Sequence, residues 1–342
     1  MNILCIDIGS GTQDVLLYNP DRELENCPKF ILPSPARNIA AQLERLGNAG
    51  RDVYLYGSNM GGGFKPELNS VLSKGRKVSA HPEAAKALSD HQEKVRSLGV
   101  EITETCPGNA APVYLSDFDP GAWRAFFDML GLEHPDMTMI AAQDHGYHPE
   151  MSNRQGRFGI WEKLLSQQEL KLQDLVFTDP PEEFTRLCTI QASTGGGPVS
   201  DSGTAAVLGA LFVPEIEAKN RERGVCLVGI GNSHTVAFLV YRECIYGVYE
   251  QHTGLLSGDK LWMDLQGFRK GDVTFDQVFA DQGHGCLNLQ APAAADNFPE
   301  TYVIGPQRSI LKGYDVQFPA PGGDMMLTGC FGLLKAWQNM SI

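Results

Sequence analysis

The chain has 342 residues, 42% of them hydrophobic and 20% charged, and 28 Lys+Arg against 41 Asp+Glu leave a formal charge of −13. Such a composition can bury a core and excludes disorder, while the length exceeds the ~250–300 residues at which single cores split. An acidic chain without a Lys/Arg stripe among aromatics lacks the footprint of phosphate-backbone binding, which excludes nucleic acid as an expected partner.

The start, MNILCIDIGS, has no basic flank and meets Asp7 after a few apolar residues. No later apolar run nears the ~18 residues of a membrane span, so a soluble, cytoplasmic protein with no membrane partner is expected. The first segments read as strand (3–6), glycine turn, strand (15–18), an Asn19-Pro20-Asp21 turn and strand (29–32), close enough to pair antiparallel. Ile39, Leu43 and Leu46 then recur at helical spacing, followed by the strand VYLYG, a helix over about 82–98, APVYLS, a helix around WRAFFDML and the strand TMIAA. This alternation predicts an α/β sheet.

A second block opens with DSGTAAVLGALFVPEIEAKNRERG, whose small residues predict a tightly packed helix from near Ser202. The segment after it repeats the N-terminus. LCIDIGSGTQDVLLY (4–18) and CLVGIGNSHTVAFLV (226–240) share strand, Gly-polar-polar turn and strand, with Gly9 opposite Gly231 and Ser10 opposite Asn232. Each is followed by a further strand, so one supersecondary unit is used twice. The last stretch predicts a strand, a Gly305-Pro306 turn, a short helix, a strand, a Pro/Gly turn and a terminal helix from about Asp324. Eight scattered cysteines (5, 27, 106, 188, 226, 244, 286, 330) form no CxxC and no CxxxCxxC run, which argues for free thiols in a reducing compartment.

A tight turn whose N–H groups converge is an anion cradle, and glycine lets the main chain approach a phosphate unobstructed. Ser10, Thr12 and Gln13 can add donors, and Asp7 stands where a hard cation riding on phosphates needs an oxygen ligand, usually through water. A plain hairpin explains one such turn, because hairpin turns favour Gly and Ser. A matching pair facing each other across a cleft can clamp a triphosphate from both sides.

IDIGSGTQDVLLY resembles the first phosphate motif of the actin, heat-shock chaperone and sugar-kinase ATPase superfamily, and VGIGNSHTVAFLV its second. SDSGTAAVLGAL is similar to its first connecting helix, YVIGPQRSIL to its adenosine-binding turn and GGDMMLTGCFGLLKA to its terminal connecting helix. The resemblance implies an α/β, two-domain actin-like ATPase fold of duplicated ribonuclease H-like units with a nucleotide cleft between them. Residues 1–201, joined by a C-terminal helix 324–342, would form the first domain and residues 202–323 the second. ATP and Mg2+ are the implied cofactors. Asp7 would hold the metal's water shell; Gly9, Ser10, Gly11, Thr12 and Gln13 would face Gly231, Asn232, Ser233, His234 and Thr235 across the phosphates; Gly305, Arg308 and Ser309 would line the adenosine side.

With QDHG and STGGGPVSDSG, the chain is further similar to the family labelled pyruvate formate-lyase activating enzymes, although it lacks the closely spaced cysteines a glycyl-radical activase uses for its cluster. One departure bears on turnover: the second motif's strand carries Gly229 where the superfamily has an aspartate.

Gln143, Asp144 and His145 lie just past an apolar strand, the edge where ligands gather in open α/β sheets. By the superfamily's pattern Asp144 is the expected general base and Gln143 the residue positioning the nucleophile. Alternatively His145 and His148, with Asp144 and Glu150, hold a transition metal. The glycine runs at 56–64 and 193–198 supply hinges or backbone approach to a ligand; Glu250, Gln251 and His252 end a strand near the cleft, and GHG (283–285) reads as a turn.

The expected function is phosphoryl transfer from ATP to a small-molecule acceptor, as in a kinase, or ATP hydrolysis. The alternative is a nucleotide-gated chaperone or maturation factor acting on a client protein without efficient turnover. A third reading, an iron–sulfur electron-transfer ATPase, requires cysteines contributed across a homodimer.

Overall fold

The apolar runs and their glycine turns fold into three sheets in the computed structural model, which describes residues 1–167 and 169–340. β1 (Ile3–Ile8), β2 (Thr12–Tyr18) and β3 (Lys29–Pro33) form an antiparallel meander. Ile3, Leu4, Cys5 and Ile6 of β1 are wholly buried, which is why this strand is apolar on both faces. The chain then leaves to build a separate parallel sheet from β4 (Val53–Gly57), β5 (Val78–Ala80), β6 (Val100–Ile102) and β7 (Ala111–Leu115), ordered β6-β5-β4-β7. This insertion has its own core, centred on Leu43, Leu55, Phe64, Leu68 and Val113. β8 (Met137–Ala142), β9 (Val176–Phe177) and β10 (Val199–Ser200) return to the first sheet and complete the order β3-β2-β1-β8-β10-β9, with β8 parallel to both β1 and β10.

The second sheet repeats the plan. β11 (Val225–Ile230), β12 (His234–Tyr241) and β13 (Cys244–His252) form an antiparallel meander; β14 (Gly285–Asn288) pairs outside β13 and β15 (Glu300–Ile304) runs parallel to β11. Its β15 stands to β11 as β8 stands to β1. The repetition reaches single hydrogen bonds: Gly9 N–H donates to Thr12 O and Gly231 N–H to His234 O, both at 2.9 Å. The architecture is a duplication: one meander-plus-parallel-strand plan is built twice, in two separate sheets.

Between the two sheets the Ser202–Ala210 and Thr328–Met340 helices cross in backbone contact. A Cβ on Gly209 would sit 1.9 Å from Thr328 O, and one on Gly332 1.9 Å from Ala205 O. Glycine at these two positions permits this approach. The helix expected to continue past residue 210 breaks and restarts at Pro214 (Pro214–Glu222), because proline lacks the N–H that an interior turn would need. The 82–98 segment likewise splits into Pro82–Ala85 and Gln92–Ser97, and Asp90 in the break accepts from His148 N–H at 3.1 Å. The terminal helix starts at Thr328, because Asp324 instead caps the short turn Met325–Leu327. The strand expected after Gly313 is reduced to one bridge, Tyr302 to Gln317. No described helix is long and apolar enough to cross a membrane.

Candidate functional site

The ends of β1, β8, β11 and β15 open on one cavity of about 570 Å³, within the range of small-molecule sites. Both hairpin turns reach it and touch each other: Ser233 Oγ donates to Ser10 Oγ at 3.1 Å. The first turn is braced from behind. Buried Ser34 caps the Pro35–Asn48 helix by accepting from Arg37 N–H, and it donates its Oγ to Ser10 O and its N–H to Gly11 O. On the second turn, Gln307 Nε2 donates to Asn232 Oδ1 at 3.0 Å.

Asp7 projects from the end of β1 into this cavity while 9% exposed. Ser202, the first residue of its helix, donates to Asp7 Oδ1 at 2.6 Å, and a Cβ on Gly329 would lie 2.0 Å from Oδ2. Glycine at 329 therefore makes room for the carboxylate. Burial, reinforced by Asp14 and Asp201 and opposed by the Ser202 bond, pushes the Asp7 carboxyl up to about 8. Burial raises Asp14, on the facing strand, to about 7. Among the described residues neither carboxyl is paired with a cation. At the matching position of the second hairpin, Gly229 also lines the cavity, and a Cβ there would meet nothing closer than Val207 Cγ1 at 3.8 Å.

Past β8, Asp144 folds into the protein. Its Oδ1 accepts from Gly146 N–H at 2.9 Å and its Oδ2 from Arg186 and Leu187 N–H at 2.9 and 3.0 Å, which satisfies the first turn of the Thr185–Ser193 helix. Burial raises its carboxyl, more than these backbone bonds and Arg186 lower it. Arg186 forks onto Asp117 at 2.7 and 2.8 Å and donates Nη1 to Gln143 O at 2.6 Å, so the cavity wall carries a fixed guanidinium. The inserted sheet supplies the remaining wall: Asn59 through Gly63 and Lys65, whose ammonium burial lowers from its ordinary value. In this run Gly62 is sterically required, since a Cβ would stand 2.4 Å from Ala87 O. The other triple-glycine run serves the fold: a Cβ on Gly197 would strike Thr138 O.

Behind the hairpins lies a buried polar knot. Arg157, 1% exposed on the Asn153–Leu165 helix, donates Nε to Glu250 Oε2 at 2.5 Å, Nη1 to Asp201 Oδ2 at 3.1 Å and Nη1 to Asp144 O at 2.7 Å. Gln143 Nε2 reaches Glu250 Oε1 at 3.2 Å. Four imidazoles, those of His145, His234, His252 and His284, pack beside it with neighbouring ring centroids 4.7–5.2 Å apart. Burial drives all four below the ordinary histidine value, His234 to about 4 and His284 to about 2, with Arg157 and the neighbouring rings adding to the effect at His145 and His284.

Of the residues picked from the sequence, Asp7, Gly9, Ser10, Thr12, Gln143, Asp144, Gly231, Asn232, Ser233, His234 and Gly305 come together on the cavity. Five others do not line it. Gly11 stands against Asn232; Gln13 turns back to donate to Pro33 O; Thr235 is wholly buried against Thr253. Arg308 and Ser309 belong to a short 3-10 turn, where Arg308 donates back to Gly305 O and Ser309 is exposed. The alternative metal set also rearranges. His148 Nε2 lies 2.9 Å from His145 O and Glu150 is exposed, so His145 turns to His234 and His284 rather than to His148. His284, read from the sequence as part of a turn, is 1% exposed in the knot. Sequence reasoning misses Arg157, Arg186, Asp117, Asp201 and Lys65. Only Asp201 carries a local signal, as the helix cap in SDSG, where it accepts from Gly203 N–H.

The sequence matches, over residues 60–310, the family model described as "Putative pyruvate format-lyase activating enzyme (DUF1786)". No curated protein matches it. Among solved structures it is similar to a protein from Listeria monocytogenes described as "a putative N-acetylmannosamine kinase" (9% identity, TM-score 0.36, 100% of both chains). It is also similar to a Bacteroides thetaiotaomicron protein of actin-like ATPase fold and unknown function (8%, 0.37, 96% of this chain and 95% of that one). A third is the activator of the 2-hydroxyisocaproyl-CoA dehydratase from Clostridium difficile with bound ADPNP (8%, 0.29, 100% and 97%).

Proposed function

The chain belongs to the family described as "Putative pyruvate format-lyase activating enzyme (DUF1786)", and from that premise and the geometry of its cavity we propose that it binds a magnesium nucleoside triphosphate, ATP in the first place, and transfers or hydrolyses the terminal phosphoryl group. The observation that carries the reading is the convergence of two matching glycine hairpins on one cavity, with Ser10 and Ser233 in hydrogen-bond contact. Backbone and hydroxyl donors from both turns then surround a polyphosphate, as an anion cradle requires.

Asp7 fits the metal position. It is a nearly buried carboxyl at the cavity wall, raised by burial and by nearby Asp14 and Asp201, which a bound cation would return to the charged form, and Gly329 leaves it room. It would hold the water shell of a magnesium ion, which offsets phosphate charge when bound. Gly305, with Ile304 and Met325 beside it, forms the wall offered to the adenosine end. In the proposed two domains, 1–201 with the terminal helix and 202–323, closure tightens the Ser10–Ser233 contact and excludes water.

The acceptor side is the wall formed by Asp144, Arg186 and Lys65. Among the described residues Asp144 Oδ1 accepts from Gly146 alone and so retains a lone pair, and its raised carboxyl suits a base drawing a proton from an acceptor hydroxyl or a water. Gln143 orients that nucleophile, and Arg186 is placed to meet the phosphoryl charge. A second reading, a nucleotide-gated chaperone or maturation factor with little turnover, is favoured by Gly229, which removes the second carboxylate from the metal side. Calorimetry with Mg-ATP and a non-hydrolysable analogue, then ADP release with and without hydroxyl and carboxylate acceptors, tests both. Acceptor-dependent release supports the kinase, tight binding without release supports the second reading, and no affinity for any nucleotide removes both.

A further inference from the structure

The knot behind the second hairpin has the composition of a metal centre. We propose that His145, His234 and His284, with Glu250 as the fourth ligand, bind one divalent transition ion of the zinc class at the floor of the cavity, a site distinct from the magnesium position at Asp7.

Among the described residues, one group of His, Cys, Asp and Glu side chains brings its ligand atoms within 4.8 Å of one another, and it is this one. Three imidazoles and a carboxylate, without sulfur, match zinc and cobalt rather than an iron–sulfur cluster. The buried nitrogens are short of partners: both ring nitrogens of His234 and Nδ1 of His284 have none among the described residues, although buried polar atoms are ordinarily bonded. An ion held at ordinary zinc–nitrogen distances needs ligands ~3.4 Å apart, so the four atoms close by about an ångström through side-chain rotation.

The surroundings supply what a metal centre needs outside its ligands. Glu250 is held in place by Gln143 on Oε1 and by Arg157 on Oε2, and Oε1 keeps a lone pair toward the imidazoles. His148 fixes the loop by its bond to His145 O. Arg157 would oppose a cation if it stood alone, but it is paired with both Asp201 and Glu250, which leaves the knot one negative charge in excess. His145 and His234 also line the cavity, so an ion can enter the site from there. His252, 4.7 Å from His284 between ring centroids, stands behind the set as a packing partner.

The test uses the full chain stripped with a chelator and titrated with Zn2+ and Co2+ without nucleotide, so its outcome does not depend on the phosphoryl-transfer reading. One Zn2+ per chain is expected in competition with a chromophoric chelator, and Co2+ is expected to give the intense visible absorption of a tetrahedral nitrogen/oxygen site. H145A and H284A are each expected to weaken Zn2+ at least ~100-fold, whereas surface H134A leaves it unchanged. Should H284A fail to fold, the wild-type Co2+ spectrum and H145A, on the cavity wall, still decide. Absence of Zn2+ binding at micromolar concentration, an octahedral Co2+ spectrum, or full retention by H145A overturns the assignment.

Discussion

Ser233 Oγ lies 3.1 Å from Ser10 Oγ, although 223 positions separate the two residues in the chain. Each hydroxyl sits in the turn of its own hairpin, and the contact brings two copies of one structural unit to face a common cavity. Replacing both by alanine removes two donors to a charged ligand, each worth about 1.5–3 kcal/mol. Ser10→Ala and Ser233→Ala are expected to weaken Mg-ATP ~10-fold or more apiece by calorimetry, with little change in the thermal midpoint.

Gly229 marks where a second carboxylate is missing. A Cβ there has space and a side chain would enter the cavity opposite Asp7. Gly229→Asp is expected to fold and to raise nucleotide turnover about tenfold, the equivalent of about 1.4 kcal/mol of transition-state stabilisation. Steady-state ADP release reads the effect; a variant no faster than wild type argues that turnover is limited elsewhere.

Asp144 is tied to three N–H groups and is also the expected proton acceptor. Asp144→Asn preserves an accepting oxygen but cannot take a proton. The expected result is a loss of ~10²–10⁴ in turnover with nucleotide affinity nearly unchanged. Unchanged turnover on the true acceptor removes Asp144 from the chemistry.

The pH dependence of stability carries two opposed contributions in metal-free protein. Asp7 is raised to about 8 and Asp14 to about 7, so between pH 4 and those values the folded state holds the extra protons and stability falls as pH rises. The four histidines are lowered, so below 6.5 the unfolded chain holds the extra protons and stability rises with pH. The histidine contribution fades over the pH unit above 6.5, and buried Asp144, also raised, acts in the same direction as Asp7 and Asp14. Denaturant midpoints are expected to decline from about pH 7 to 8, by at most about 1.4 kcal/mol per pH unit per proton. Asp7→Asn should flatten that decline.

Arg157 is wholly enclosed between Glu250 and Asp201. Removing one member of a buried ion cluster strands the others, at about 3–5 kcal/mol. Arg157→Ala is expected to lower the unfolding free energy by that amount in urea titration. A loss under about 1 kcal/mol would mean that water reaches the knot.

Local chemistry made much of this legible. The glycine hairpins announce themselves, because a strand that stops at a Gly-polar turn and resumes must fold back on itself, and finding the unit twice predicts the duplication. Small residues at 209 and 332 likewise point to close packing, which the crossing helices realise, whereas Gly329 makes room for the Asp7 carboxylate. The separate sheet of residues 53–115 was less visible, because its alternation of strand and helix reads the same whether it extends one sheet or builds another.

The two hairpins, the order of the elements and Asp7 as a carboxylate beside a turn can all be read along the chain, since each depends on neighbours a few residues apart. That Arg157, from one helix, locks together Asp201 and Glu250, and that His145, His234 and His284 share one pocket across 139 positions of chain, emerges from the folded packing alone. Burial and charge pairing are properties of the assembled fold. No local pattern encodes which distant side chains will be desolvated together, and it is desolvation that gives these residues their altered protonation and their unfilled hydrogen bonds.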